Sequence, residues 1–276
     1  MKIINHRLCR DDGTPYPFME SPNHGGVIEP EILTMHYSAG GGVGAVNAHF
    51  MNPDADASSH ALIGRDLSIT QYVPFNIRAW HAGVSVWDGR ESVNDFSIGI
   101  ELDNAGMLGP YLADQWRAWW GRLYPGSEVT VAIHKNRISP NGWHIYRPEQ
   151  IDAAVQLAKS LVGEYNLRAI VGHEDVAPDR KVDPGPAFPM AEFRRRVMDH
   201  DDRDVFDVVA DVVAKNARDR RLCRPSLRML VEEVGELAAA LAGDHQHPPD
   251  WELRQIAAIA LHWLINIKEP DNQEWA

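Results

Sequence analysis

Apolar and polar residues change their spacing several times along the first two thirds of the chain, then settle into a purely helical period. Residues 1–30 are turn-rich (Gly13, Pro15, Pro17, Pro22, Gly25, Gly26) and read as a coat over the domain that follows. The run ILTMHY, Ile32–Tyr37, predicts a buried strand that ends near His36 and runs into a glycine-rich loop at 40–44. Residues 58–64 and 68–73 predict a hairpin, although Asp66-Leu67 stands where Asp-Gly would be the expected turn chemistry. In 96–102 strict alternation puts Phe96, Ile98, Ile100 and Leu102 on one face and Ser97, Gly99 and Glu101 on the other. Glu101 therefore faces away from the core side, beside a glycine that leaves room. The stretch 105–147 is rich in tryptophan; it predicts a short helix around 116–123 and an irregular insertion that could wall a cleft. Pro148 starts a helix along which Ile151, Ala154, Val155, Ala158, Leu161 and Val162 recur at helical spacing. A short strand at 169–171 delivers His173, and 189–198 predicts a helix that closes the domain.

After residue 199 the acidic joint DHDDRD leads into helical patterns at 205–213, 227–241 and 251–267. Strands mixed with helices in 1–199 and helices alone in 200–276 predict two domains, a division that 276 residues comfortably allow. Composition adds limits. Apolar residues make up 44% and charged residues 24%, ordinary for a globular protein. A net charge of −12 argues against nucleic acid or an anionic membrane as the main partner. Two distant cysteines, Cys9 and Cys223, imply no disulfide framework. The N-terminus has no apolar run after its basic residues, so the expectation is synthesis in the cytoplasm without signal peptide or membrane anchor.

The candidate chemistry centres on GHEDVAPDRKVDPGPAF, from 172 to 188. His173 and Asp183 stand ten positions apart there, Lys181 precedes Asp183 by two, and prolines stiffen the loop. If His36 converges with them, two imidazoles and one carboxylate make a catalytic zinc set with one position left open. Any one of 13 histidines is more often hydrogen-bonded than metal-bound. The case rests on His36 and His173 both closing predicted strands, with Glu101 presenting a carboxylate from a third. GGGVG at 40–44 lacks the lysine and hydroxyl of a phosphate-binding loop.

That loop, with QYVPFNIRAWHAG (71–83) and NDFSIGIEL (94–102), resembles the zinc-dependent N-acetylmuramoyl-L-alanine amidases of the type 2 family, especially their AmpD-type branch. The resemblance covers roughly 30–197. It implies an α/β fold with a central mixed β-sheet flanked by helices and a zinc in a groove on one face. It places His36, His173 and Asp183 at the zinc-ligand positions and Glu101 and Lys181 at the catalytic ones. Trp80 and His81 line a sugar or peptide subsite in this reading, with a packed tryptophan and a hydrogen-bonded histidine as the alternative. Phage lytic members can use a tyrosine on the strand where Ser59 and His60 stand here, which favours the arrangement with Glu101. His134 and His144 remain unassigned.

The tail, LRMLVEEVGELAAAL followed by WELRQIAAIALHWL, resembles MazG-like all-α nucleotide pyrophosphohydrolases. Glu232, Glu233 and Glu236 share a helix and Glu252 lies on the next, which would serve Mg2+; Gln255 stands where an acidic partner is expected. The alternative is a helical module for homo-oligomerisation. The expected function is hydrolysis of the bond between muramic acid and L-alanine, as a phage or prophage endolysin that reaches the wall after membrane permeabilisation. Recycling of soluble anhydro-muropeptides in the cytoplasm is the competing expectation.

Overall fold

The computed structural model describes residues 1–198. The expected helical domain, with Glu232, Glu233, Glu236, Glu252 and its Mg2+ site, lies outside the described residues. The chain begins with strands β1 (Lys2–Ile4), β2 (Arg7–Cys9), β3 (His24–Val27) and β4 (Ile32–Tyr37), then helix α1 (Val43–Met51). Strands β5 (Ala61–Ile63), β6 (Ile69–Gln71), β7 (Ile77–Ala79), β8 (Val86–Trp87), β9 (Arg90–Glu91) and β10 (Ser97–Leu102) follow. The insertion supplies β11 (Met107–Pro110), β12 (Gln115–Arg117), β13 (Leu123–Pro125), β14 (Val129–Ile133) and β15 (Pro140–His144). The last described elements are α2 (Pro148–Tyr165), β16 (Ala169–Gly172), the single turn α3 (His173–Val176) and α4 (Met190–Met198).

The central sheet has the order β16-β4-β10-β5-β6, with β16, β4, β10 and β5 parallel and β6 antiparallel. It is the mixed sheet expected. Period-two alternation sorts its side chains. Leu33 and Met35 of β4, and Ile98, Ile100 and Leu102 of β10, join a core with Leu157 and Leu161 of α2 and Phe193 of α4. All are essentially inaccessible, and a leucine so buried contributes on the order of 1.5–3 kcal/mol. Helix α2 starts with a proline in its first turn and ends on Asn166 in the left-handed region, where it cannot continue. On the other face α1 packs Val46 and Phe50 against Leu62 and Tyr72.

Residues 1–30 do lie along the outside of this domain. The β1–β2 hairpin places Leu8 under the α2 side of the core, and residues 17–19 run beside β6.

The insertion departs from expectation. No helix forms at 116–123; instead an antiparallel sheet ordered β13-β12-β11-β15-β14 is built, with Trp116 opposite Tyr124. The spacing of Trp116, Trp119, Trp120 and Leu123 mimics a helix. Gly121, at φ +96°, bonds back to Ala118 and turns the chain into a hairpin. Alternation then buries Ala118 and exposes Trp119. Helix α1, by contrast, was not anticipated: it is short and buries only Val46 and Phe50, too few positions for a period to show.

The hairpin at 64–68 closes with a bond from Leu67 N–H to the Gly64 carbonyl, and Asp66 accepts from both the backbone and hydroxyl of Ser68. Leu67 sits at φ +69°, a conformation that costs a residue with a Cβ. Leu67→Gly is expected to raise stability by about 0.5–1 kcal/mol, read as a higher urea midpoint with unchanged slope.

Candidate metal centre

The parallel strands all point their carboxyl ends the same way, and open α/β sheets bind ligands at that edge. His36 is next to last in β4, Glu101 next to last in β10, and the two are paired in register. Both belong to the face opposite α2. His173 follows β16 directly, and β16 lies on the other side of β4. Asp183 comes back to this edge on the loop after α3, where the Glu174 N–H bonds the Asp183 carbonyl at 2.9 Å. The Asp183–Pro184 peptide is cis.

The three expected ligands meet. His36 Nδ1 and His173 Nδ1 are 3.0 Å apart, and each is 3.0 Å from Asp183 Oδ2. All three residues are buried, and among the described residues they form the one cluster with metal-ligating spacing. A tetrahedral ion held at about 2.0–2.1 Å spaces its ligand atoms about 3.3 Å apart, so the triangle fits one with little movement. The outer hydrogen bonds say more. His173 Nε2 faces the Ala82 carbonyl at 3.0 Å, which can only accept, so this nitrogen carries the proton and a neutral ring leaves Nδ1 bare. His81 Nε2 faces Ser97, its Oγ at 3.2 Å and its carbonyl at 3.5 Å; with Nε2 donating to that carbonyl, His81 Nδ1 accepts from His36 Nε2 at 3.0 Å. This too leaves Nδ1 of His36 bare. Burial, then His173, holds His36 down at about 4, so its ring is neutral. In those tautomers two imidazole lone pairs and a carboxylate oxygen converge, an arrangement that a cation resolves.

Glu101 lies half-buried beside this cluster, and its Oε2 has no hydrogen-bond partner. Burial and the charge of Asp183 push its carboxyl up to about 8, with Lys181 opposing. Such a group is suited to exchange protons near neutrality. Lys181 is half-buried and lines the same groove, its backbone N–H bonded to Ala177.

The groove encloses about 800 Å³. His36, His173, Asp183, Glu101 and Lys181 form its polar part; Trp80, Trp119 and Trp120 contribute aromatic walls. Trp80 is half-buried with its backbone N–H donating to Ser58 Oγ. His81 borders the groove but has both nitrogens engaged, so it orients His36 as well as lining space. Its ring rests on Gly99, where a Cβ would come within 2.6 Å of His81 Cγ. This is the room that the sequence pattern anticipated beside Glu101. Trp119 and Trp120 were overlooked because the segment read as a helix; Gly121 directly after them was the available signal. Arg180 was overlooked too. Its Nη2 bonds the Ala82 carbonyl at 2.6 Å, the same oxygen that orients His173. His134 and His144 are buried in or beside the inserted sheet and are not among the three converging residues, although His134 bonds Glu174, next to His173.

A two-histidine, one-carboxylate triangle with an unpaired carboxyl oxygen of Glu101 beside it is a group that could hold one metal ion. The chain belongs to the N-acetylmuramoyl-L-alanine amidase family, whose model matches residues 27–186. It is 37% identical over 150 residues to 1,6-anhydro-N-acetylmuramyl-L-alanine amidase AmpD of Enterobacter cloacae, covering 54% of this chain and 61% of that protein. With AmpD of Escherichia coli K12 it shares 43% over 137 residues, covering 50% and 56%. With N-acetylmuramoyl-L-alanine amidase AmiD of the same organism it shares 32% over 176 residues, covering 60% and 52%. The match thus spans little more than half the length of these relatives. A crystal structure of a selenomethionine AmpD derivative superposes with a TM-score of 0.51 at 28% identity, covering 71% of this chain and 99% of that one.

Gly99→Ala is expected to displace His81. A stability loss of about 1–3 kcal/mol should follow from overpacking, measured by chemical denaturation, together with weaker metal binding measured by equilibrium dialysis.

Proposed function

We propose that this protein is a zinc-dependent amidase that hydrolyses the bond between N-acetylmuramic acid and L-alanine in peptidoglycan or its fragments. The observation that carries this reading is the bare His36–His173–Asp183 triangle with Glu101 unpaired beside it. Two nitrogens and one carboxylate oxygen suit zinc, and three protein ligands leave a position for substrate. The chemistry such an ion supplies there is Lewis acidity toward the scissile carbonyl and toward the attacking water.

The chain's own groups do the rest. Glu101 accepts the proton of the attacking water and returns it to the departing alanine nitrogen, a role its elevated carboxyl supports. Lys181 offers its ammonium to the negative charge that develops on the carbonyl oxygen. Trp80, Trp119 and Trp120 give the groove flat apolar walls against which a sugar ring or stem peptide packs.

Two substrates compete. The names of the AmpD relatives favour soluble anhydro-muropeptides. A shorter match, 39% over 82 residues to N-acetylmuramoyl-L-alanine amidase XlyA of Bacillus subtilis, is compatible with a lysin acting on intact wall. No helix among the described residues is long and apolar enough to cross a membrane. For 200–276 we retain the MazG-like domain as a proposal, supported by the carboxylate spacing of Glu232, Glu233 and Glu236; Mg2+-dependent release of pyrophosphate tests it, and its absence leaves oligomerisation.

Mass spectrometry of digested sacculi, and separately of anhydro-muropeptides, tests the main reading. The wild type should separate intact glycan from stem peptide, and a chelator should stop it. Glu101→Ala should lower kcat by about 10²–10⁴ while zinc content is unchanged. Cleavage within the glycan or between peptide residues would overturn the assignment.

A further inference from the structure

The inserted sheet reaches the metal-ligand loop at three places. His134, directly after β14, accepts at Nδ1 from the Asn136 N–H, so its Nε2 carries the proton and donates to Glu174 Oε2 at 2.6 Å. The same Glu174 oxygen accepts from the Gly185 N–H at 3.1 Å, and Lys135 holds the other oxygen at 3.0 Å. Glu174 is thus a buried bridge between the insertion and the residue two beyond Asp183. Trp143 of β15 forms the second contact. Its ring lies against Gly185, which has φ +73° and where a Cβ would come within 2.6 Å of Trp143 Cζ3. His134 also stacks on Trp143, the ring centroids 5.5 Å apart at an interplanar angle of 26°. Third, the hydroxyl of Tyr146, just past β15, donates to the Pro184 carbonyl at 2.8 Å.

Asp183 is the only ligand not carried at a strand end. Its position depends on the loop that contains it, and Pro184 and Gly185 are held from outside by side chains of, or next to, the insertion. Groups that orient ligands from behind typically change metal affinity about 10–100-fold when removed. We propose that the inserted sheet is a brace for the Asp183 loop, and that the His134–Glu174–Gly185 relay sets how tightly the three ligands hold their metal. His134 is a positioning residue in this account. The proposal rests on the metal reading of the site and is independent of which substrate is cut.

The test uses the full chain and Zn2+ alone. His134→Ala should raise the Zn2+ Kd about 10–100-fold in competition with a chromophoric chelator, and shift the visible bands of the Co2+-loaded protein. His134→Gln, which keeps an N–H of similar reach, should restore most of the affinity. Ile138→Ser, at a position 96% exposed on the same insertion, should change neither. A folded His134→Ala protein with wild-type Kd and Co2+ spectrum overturns the proposal. Should that variant fail to fold, Tyr146→Phe decides, because it removes only the hydroxyl on Pro184: a several-fold higher Kd supports the brace and an unchanged Kd refutes it. Wild type that binds Zn2+ tightly yet leaves muropeptides uncut would sink the amidase reading alone.

Discussion

Everything at the site depends on one lateral pairing. Strands β4 and β10 run parallel with His36 opposite Glu101, and that register puts an imidazole of the candidate metal triangle and an unpaired carboxyl side by side on one face of the sheet. A slip of one residue would turn either side chain into the α2 core. The register is held by the opposite face, where Leu33, Met35, Ile98 and Ile100 have nowhere else to go. The hydrophobic core therefore specifies the geometry of the site without touching it.

Around this pair the structure adds constraints of increasing reach. Ser97 and His81 fix the ring of His36; the Ala82 carbonyl, shared with Arg180, fixes that of His173. Each bond uses up the outer nitrogen and leaves the inner one bare. Asp183 has no strand beneath it, and its loop is held by contacts from a separate sheet. The candidate ligand set is thus assembled from two strand ends of the parallel sheet and one braced loop, a division that accounts for how much structure surrounds residues 183–185.

The groove follows the same logic. Its polar floor is the carboxyl edge of the parallel strands, while part of its wall is borrowed from the insertion through Trp119, whose indole N–H bonds the Ala39 carbonyl at 2.8 Å. That bond joins the hairpin tip to the glycine-rich loop. The loop connects β4 to α1 and has the tryptophan docked at its start.

Much of this was legible in the chain itself. Alternation along 96–102 assigned Glu101 its face, the apolar run at 32–37 identified the strand carrying His36, and the period of α2 was unmistakable, because burial on one side imposes a spacing on the sequence. Convergence of His36, His173 and Asp183 was an expectation from motif and strand ends, and the folded chain brings them within 3.0 Å of one another. The inserted sheet misled, since tryptophans at 116, 119 and 120 fit a helix as well as a hairpin until Gly121 is given its turn. Tautomers, the His81 relay and the brace on Asp183 were decided only by tertiary structure. They join residues up to 91 positions apart through single hydrogen bonds, as between His173 and Ala82, and such contacts leave no periodic trace in a sequence.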